Sequence, residues 1–309
     1  MILTNVLPVA LDDQDLEQSI ALYAYQAMIT EVQLTPKPGL VDRDNTGAHS
    51  DMDIDTFIQS ANSIFPFLKQ FIQEGKKTCN EMPKTSFLAL KRLGYQCECQ
   101  MFTATSGINT HKGMIFACAL LLGAMGRLIG LDLPLTTTNI QNQIRQLSVG
   151  LVNQDLTQIT AKKGSLSAGE KLYIKYGVTG ARGEAESGYD TLFSHSLPTY
   201  RYFKGVTDDD ECALLMTLVS MMSKNQDTNL LSRGGITALQ SVQNQATSLY
   251  DLFSSMFHPH KPKENLFVKR QLKHELKAWD SLLIHAHLSP GGSADLLAMT
   301  WFMDKVIID

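Results

Sequence analysis

The feature that most constrains this chain is a hydrophobic stripe of helical period. After Asp53, the residues Ile54, Phe57, Ile58, Ala61, Ile64, Phe65, Leu68 and Phe71 recur at three- and four-residue spacing, which places them on one helix face. A stripe this wide needs other elements to cover it, and the pattern also runs through Leu16, Ile20, Tyr23, Ala27 and Leu34. Further helices are predicted at about 112–130, 137–153, 167–176, 208–224, 234–257, 264–287 and 293–306. Asp12 or Asp13 offers a cap oxygen for the first helix, Ser167 and Glu170 spell a capping box ahead of Gly177, and Pro66 is expected to kink its helix. Sustained period-two alternation is missing, as are the GxGxxG and GxxxxGK[ST] turns of nucleotide-binding sheets. The expected fold is therefore all-α. No Ser/Gly-rich linker or fixed repeat divides the chain, so residues 1–309 read as a single multi-helical domain with polar active-site loops at helix ends.

Hydrophobic residues make up 44%, enough for a sizeable core, and 27 Lys and Arg against 31 Asp and Glu leave a net charge of -4. That balance lacks the basic excess of a nucleic-acid-binding surface. Cys79, Cys97, Cys99, Cys118 and Cys212 are scattered, without a CxxC pair, and suit a reducing compartment. The N-terminus has no basic region before its apolar residues, so no signal peptide is expected. The apolar run Gly113 to Gly126 falls short of the roughly 20 residues of a bilayer span. A soluble, cytoplasmic protein with no membrane partner is expected. His258, His260, His285 and His287 read as solvated or core histidines, and the basic stretch from Lys261 to Lys277 as a solvated helix face.

Five segments interrupt the amphipathic pattern, each combining glycine with charged or hydroxyl residues. In TPKPGLVDRDNTGAH, the cations Lys37, Arg43 and His49 stand beside Asp42 and Asp44, with Asp51 close behind; this is material for phosphate and magnesium, or for a capped turn with solvated charges. GINTHKG precedes the most apolar helix, so Asn109 or Thr110 can cap it while its free amides face an anion beside His111 and Lys112. Two cations at a helix N-terminus oppose the macrodipole, and a bound triphosphate would remove the conflict; the plainer reading is a snorkelling Lys and a solvated His. TGARGEAE sets Arg182 near Glu184 and Glu186, as a surface ion pair or as a base with an orienting arginine. DTNLLSRGG offers Asp227 and Asn229 as oxygen ligands near Arg233. SPGGSADLL opens the last helix with Ser289, Gly291 and Gly292, its amides free for an anion, and Asp295 in the first turn.

In order along the chain, TEVQLTPKPGLVDRDNTGAHSDM, MFTATSGINTHKGMIF, GVTGARGEAESGY, DTNLLSRGG and LSPGGSADLLAMTWF resemble the blocks of the ATP:dephospho-CoA triphosphoribosyltransferases, the triphosphoribosyl-dephospho-CoA synthases of citrate lyase and malonate decarboxylase systems. One departure is Gln226, where the family pattern has Gly after Asn225. The resemblance implies an all-helical enzyme that joins ATP to 3′-dephospho-CoA, releases adenine, and supplies a transferase acting on an acyl-carrier protein; it leaves a homodimer open. Attack of the acceptor 2′-hydroxyl on C1 of the ATP ribose needs a base, help for departing adenine and a triphosphate clamp. Residue chemistry offers Asp42, Asp51, Glu184 and Glu186 as bases and His111 as a proton donor or phosphate contact. The phosphate-binding set is Lys37, Arg43, His49, Thr110, Lys112, Arg182, Arg233, Ser289, Gly291 and Gly292, with Asp227 and Asn229 for Mg2+. Two rivals share these features: a magnesium-dependent ADP-ribosyl hydrolase, and a non-catalytic coenzyme-binding helical protein.

Overall fold

The computed structural model describes residues 13–153 and 166–307, and among these every regular element is helical. In chain order they are α1 (Asp13–Gln33), α2 (Ile54–Lys77), α3 (Pro83–Ala104), α4 (Lys112–Gly130), α5 (Thr137–Ser148), α6 (Ala168–Tyr176) and α7 (Gly180–Glu186). A π-helical turn, Thr191–Ser196, leads into α8 (Leu197–Thr207), followed by α9 (Asp210–Lys224), α10 (Thr228–Ser254), α11 (Pro262–His285) and α12 (Gly291–Val306). The all-α expectation holds. Asp12, one of the two expected caps of α1, lies outside the described residues.

The centre is α4. From Met114 to Leu128 it is buried on nearly every side, with α2, α3 and α5 packed around it. At Gly126 the α2 backbone comes so close that an added Cβ would overlap the Ile72 carbonyl, so only glycine permits this approach. This corrects the sequence-based reading of the apolar run as too short to span a bilayer. With Lys112 to Gly130 it is a helix of 19 residues, long and apolar enough by composition alone, but 78% of its most apolar window is covered by protein. In the last turn Arg127 stays inside the core, donating from Nε to Gln143 Oε1 (3.1 Å) and from its Nη atoms to the carbonyls of Thr78 and Glu81 and to Ser86 Oγ. The guanidinium thereby fastens the end of α2 and the start of α3 to α5.

Several boundaries differ from the periodicity reading. Helix α2 runs through Pro66 as one helix. α5 stops at Ser148 rather than near 153, two residues before Gly150 at φ 77°. α10 starts earlier than 234, because Asp227 caps it and the chain breaks helical geometry only at Gly235 (φ 68°, ψ −166°). α3, α7 and α8 are additional helices. The capping box of Ser167 and Glu170 is present, with Gly177 left-handed at the C-cap. On α11, the basic stretch is a docking face rather than a merely solvated one: Lys269 pairs with Asp209 (2.6 Å) and Glu211 (2.7 Å), Lys273 with Glu211 (2.7 Å) and Lys277 with Asp44 (2.6 Å).

Candidate active site

The five polar segments, spread over some 260 residues of chain, converge on one cavity of about 840 Å³. Its wall takes Lys37 and His49 from the α1–α2 connection, Asn109 to Gly113 from the start of α4, and Val178 to Ala181 with Gly183 and Glu184 from the turn into α7 and its first residues. Asn225 to Asn229 and Arg233 come from the α9–α10 junction, and Ser289, Gly291, Gly292, Ala294 and Asp295 from the start of α12. The volume is in the upper part of the range of small-molecule sites. The N-terminal turns of α4 and α12 both open on it; Lys112 N is met by Asn109 Oδ1 (3.3 Å) and Ser293 N by Asp227 (2.9 Å), while the first amides of a helix otherwise lack an intrahelical acceptor.

The cations are held in different ways. Lys37 is only 1% exposed, and its ammonium is paired with Glu31 on α1. Lys112 pairs with Glu98 on α3 but keeps 56% of its side chain open. Arg233 donates to the carbonyls of Ala48 (2.9 Å) and His287 (3.1 Å) and lies 3.3 Å from His49 Nδ1, while His49 Nε2 meets Ser289 Oγ at 3.0 Å. Burial and the guanidinium of Arg233 lower the His49 pKa, so this ring is neutral at physiological pH. Thr110 Oγ1 donates to Ser60 Oγ (2.7 Å), and Ser60 also meets His111 Nδ1 (2.7 Å). His111 is buried edge-on against Phe57, and desolvation together with the charge of Lys37 takes its pKa down to about 3. A neutral imidazole can hydrogen-bond a ligand but is a poor proton source, which weakens the expectation that it protonates the leaving base.

Other expected site residues have tasks elsewhere. Asp42 accepts from the backbone amides of Lys37 (2.9 Å), Asp44 (2.7 Å) and Asn45 (3.2 Å), and so builds the loop rather than facing the cavity. Glu186 accepts from Gly150 (2.8 Å) and Val152 (3.1 Å). Asp51 is exposed near His49, Arg43 turns outward to Gln33 (3.0 Å), and Arg182 lies beside Gly169 of α6; none of these three is on the cavity wall.

Asp227 is buried and committed. One carboxylate oxygen accepts from the amides of Asn229 (2.9 Å) and Leu230 (3.3 Å), the other from Ser293 N (2.9 Å) and Oγ (3.2 Å). It caps α10 and ties α12 to it. Side chains at Gly291 and Gly292 would collide with Asn229 and crowd Asp227, so the two glycines serve this close docking. Among the described residues no cluster of three or more His, Cys, Asp or Glu side chains has metal-binding geometry. Each Asp227 oxygen already accepts two hydrogen bonds, from three backbone amides and the Ser293 hydroxyl in all, so the Asp227 and Asn229 pair does not fit a protein-built magnesium site.

Two perturbed carboxyls on this wall, Glu31 and Asp295, are not among the site residues expected from the sequence. Asp295, in the first turn of α12, packs its carboxyl against Gly113 at the start of α4, where an added Cβ would strike it. Burial and the charges of Glu31 and Asp227 push the Asp295 pKa up to about 8. Glu31 is likewise raised by burial, against the pull of Lys37. Glu184 keeps its expected place on the wall: Thr191 donates to its Oε1 (2.6 Å), and burial raises its pKa. Tyr189, on the same wall, was not anticipated. The signal that marks Glu31 and Asp295 is a carboxylate on the otherwise apolar face of a helix, next to a glycine-rich segment.

A family model described as ATP:dephospho-CoA triphosphoribosyl transferase matches residues 17–307. A relative from Citrobacter koseri, named "Probable 2-(5''-triphosphoribosyl)-3'-dephosphocoenzyme-A synthase", is 44% identical over 294 residues, covering 95% of this chain and 92% of its own. Relatives of the same name from two Vibrio cholerae serotype O1 strains are each 43% identical over 286 residues, covering 92% of this chain and 87% of theirs. No solved structure matches the chain.

Proposed function

The chain belongs to the ATP:dephospho-CoA triphosphoribosyl transferase family, and from that premise we propose that its cavity moves the 5-triphosphoribosyl group of ATP onto the ribose 2′-hydroxyl of 3′-dephospho-CoA, releasing adenine. It is an enzyme, a pentosyltransferase of the triphosphoribosyl-dephospho-CoA synthase type. The observation that carries the reading is the convergence of all five polar segments on one cavity that combines phosphate-binding cations and helix N-termini with a titratable carboxyl, Asp295.

Lys112, Arg233 and the first turns of α4 and α12 receive the triphosphate, with Lys37 and Thr110 fixing the floor beneath it. Magnesium enters with the triphosphate, as part of the substrate. Asp295 takes the proton of the acceptor hydroxyl as the new C1–O bond forms and the bond from C1 to adenine breaks. Departing adenine keeps the bonding electrons, and the proton collected by Asp295 is the one it needs. A carboxyl titrating near 8 suits that exchange better than an ordinary carboxylate, since a stronger base gains more in the transfer. The product is the precursor of the prosthetic group of a citrate lyase or malonate decarboxylase acyl carrier, and passes to a transferase acting on that carrier.

Adenine release, followed by chromatography in the presence of magnesium, tests the reading. Release is expected only when ATP and dephospho-CoA are both present, because the acceptor hydroxyl displaces the base from a site that excludes water. Equal release from ATP alone would identify a hydrolase, and binding of both nucleotides without release a coenzyme-binding protein.

A further inference from the structure

Two side-chain oxygens buried among the described residues have no hydrogen-bond partner, Glu184 Oε2 and Tyr189 Oη, and both residues line the cavity. They are placed by one piece of backbone. Tyr189 N donates to the Glu184 carbonyl (2.6 Å) across the turn that ends α7, with Tyr189 itself in the left-handed region at φ 57°, unusual for an aromatic residue. The Tyr189 ring is 2% exposed, and Thr191 holds the other Glu184 oxygen, so the two orphan atoms are fixed rather than free to find water by rotating. Buried polar atoms are almost always satisfied, and two orphans on one cavity wall point to a ligand that supplies their partners.

The chemistry of that partner is narrow. The carboxylate of Asp190 adds negative charge beside Glu184, so a phosphate is repelled from this part of the wall. A carboxylate oxygen requires an N–H or O–H donor, while a phenol can donate to a ring nitrogen. A neutral heteroaromatic edge with an exocyclic amine beside a ring nitrogen satisfies both at once. On the reading of the cavity as the triphosphoribosyl-transfer site, we propose that Glu184 and Tyr189 form a nucleobase subsite that reads the edge of a 6-aminopurine, Glu184 accepting from the exocyclic amine and Tyr189 donating to the adjacent ring nitrogen. Glu184 is then a recognition residue rather than the general base. Both substrates carry adenine, so the subsite serves either the base that leaves with ATP or the base retained on dephospho-CoA.

The test compares kcat/KM in two arms, ATP against inosine triphosphate with dephospho-CoA held constant, and dephospho-CoA against its hypoxanthine counterpart with ATP held constant. In the wild-type enzyme one arm is expected to show roughly 10²-fold preference for the amino base, since an unpaired buried group penalises the analogue. The arm that shows it identifies the source. Tyr189→Phe should shrink that preference to less than about tenfold. Glu184→Gln, whose amide donates to a 6-oxo group, should shift the preference toward the oxopurine, which a merely structural role would not do. Equilibrium dialysis of radiolabelled adenine gives a readout independent of turnover, with binding to Tyr189→Phe at least tenfold weaker at unchanged circular dichroism. Unchanged discrimination in both arms together with unchanged adenine binding in both variants overturns the proposal. If the wild type transfers nothing, the reaction reading fails, and adenine binding by wild type and variants still decides the subsite.

Discussion

Lys37 and Lys112 bring the same charge to one cavity under opposite constraints. Lys37 is sealed against Glu31, so Lys37→Ala leaves a buried carboxylate without its counter-ion, and a loss of about 3–5 kcal/mol is expected in denaturant unfolding. Lys112 is largely open and its pair with Glu98 is worth little to the fold. Lys112→Ala should keep wild-type stability while raising KM for ATP about tenfold or more, the cost of a lost charge-assisted phosphate contact of roughly 1.5–3 kcal/mol. Unaltered ATP kinetics would return Lys112 to a solvated surface role. Asp295 makes a prediction with a definite sign. Its folded pKa of about 8 stands above the unfolded value of roughly 3.9, so its contribution to stability is full below about pH 4 and is lost as the pH rises toward 8. Asp295→Asn cannot lose a proton. Its Tm should therefore match or trail the wild type at pH 4 and gain on it progressively to pH 8, while kcat falls roughly 10²–10⁴-fold. A Tm difference that stays flat over this range would contradict the burial argument. The sequence places Glu31 and Asp295 beside glycine-rich segments, but the shift in their protonation is set only when folding removes their water.

At the scale of elements, the docking of α12 on α10 rests on Asp227, whose carboxylate serves four donors. Removing a cap alone costs about 0.5–2 kcal/mol, and the tie to Ser293 adds to it. Asp227→Ala should lower stability by at least about 2 kcal/mol, with a loss that magnesium does not change; equal stability and a magnesium requirement lost with the carboxylate would restore the metal role. The helices with wide apolar stripes were legible from periodicity, α2 and α4 above all. α3 was not, because its buried face is narrow and partly polar: Ser86, Leu90, Cys97 and Met101. Nor was α7, whose glycines read as a loop; its tertiary setting, with Ala185 buried, overrides a weak helix propensity.

In the whole molecule, the sequence showed which segments carry chemistry but not which side chains face inward. All five segments reach the cavity, yet Asp42 and Glu186 are turned to backbone amides and Asp51, Arg43 and Arg182 lie off the wall. Periodicity reports burial and says nothing of whether a loop carboxylate meets an amide or a ligand. A family resemblance shares that limit, since conserving a loop's architecture and conserving its chemistry look alike in one sequence. The proposed reaction joins two nucleotides in this cavity by a single displacement at C1 of the ATP ribose. The most direct measurement is NMR and mass spectrometry of the product formed from ATP and dephospho-CoA. One equivalent of triphosphoribosyl group α-linked to the acceptor 2′-oxygen is expected for each adenine released, since direct displacement inverts the β-configured carbon. A β-linked product, or free triphosphoribose in place of the joined nucleotide, would contradict it.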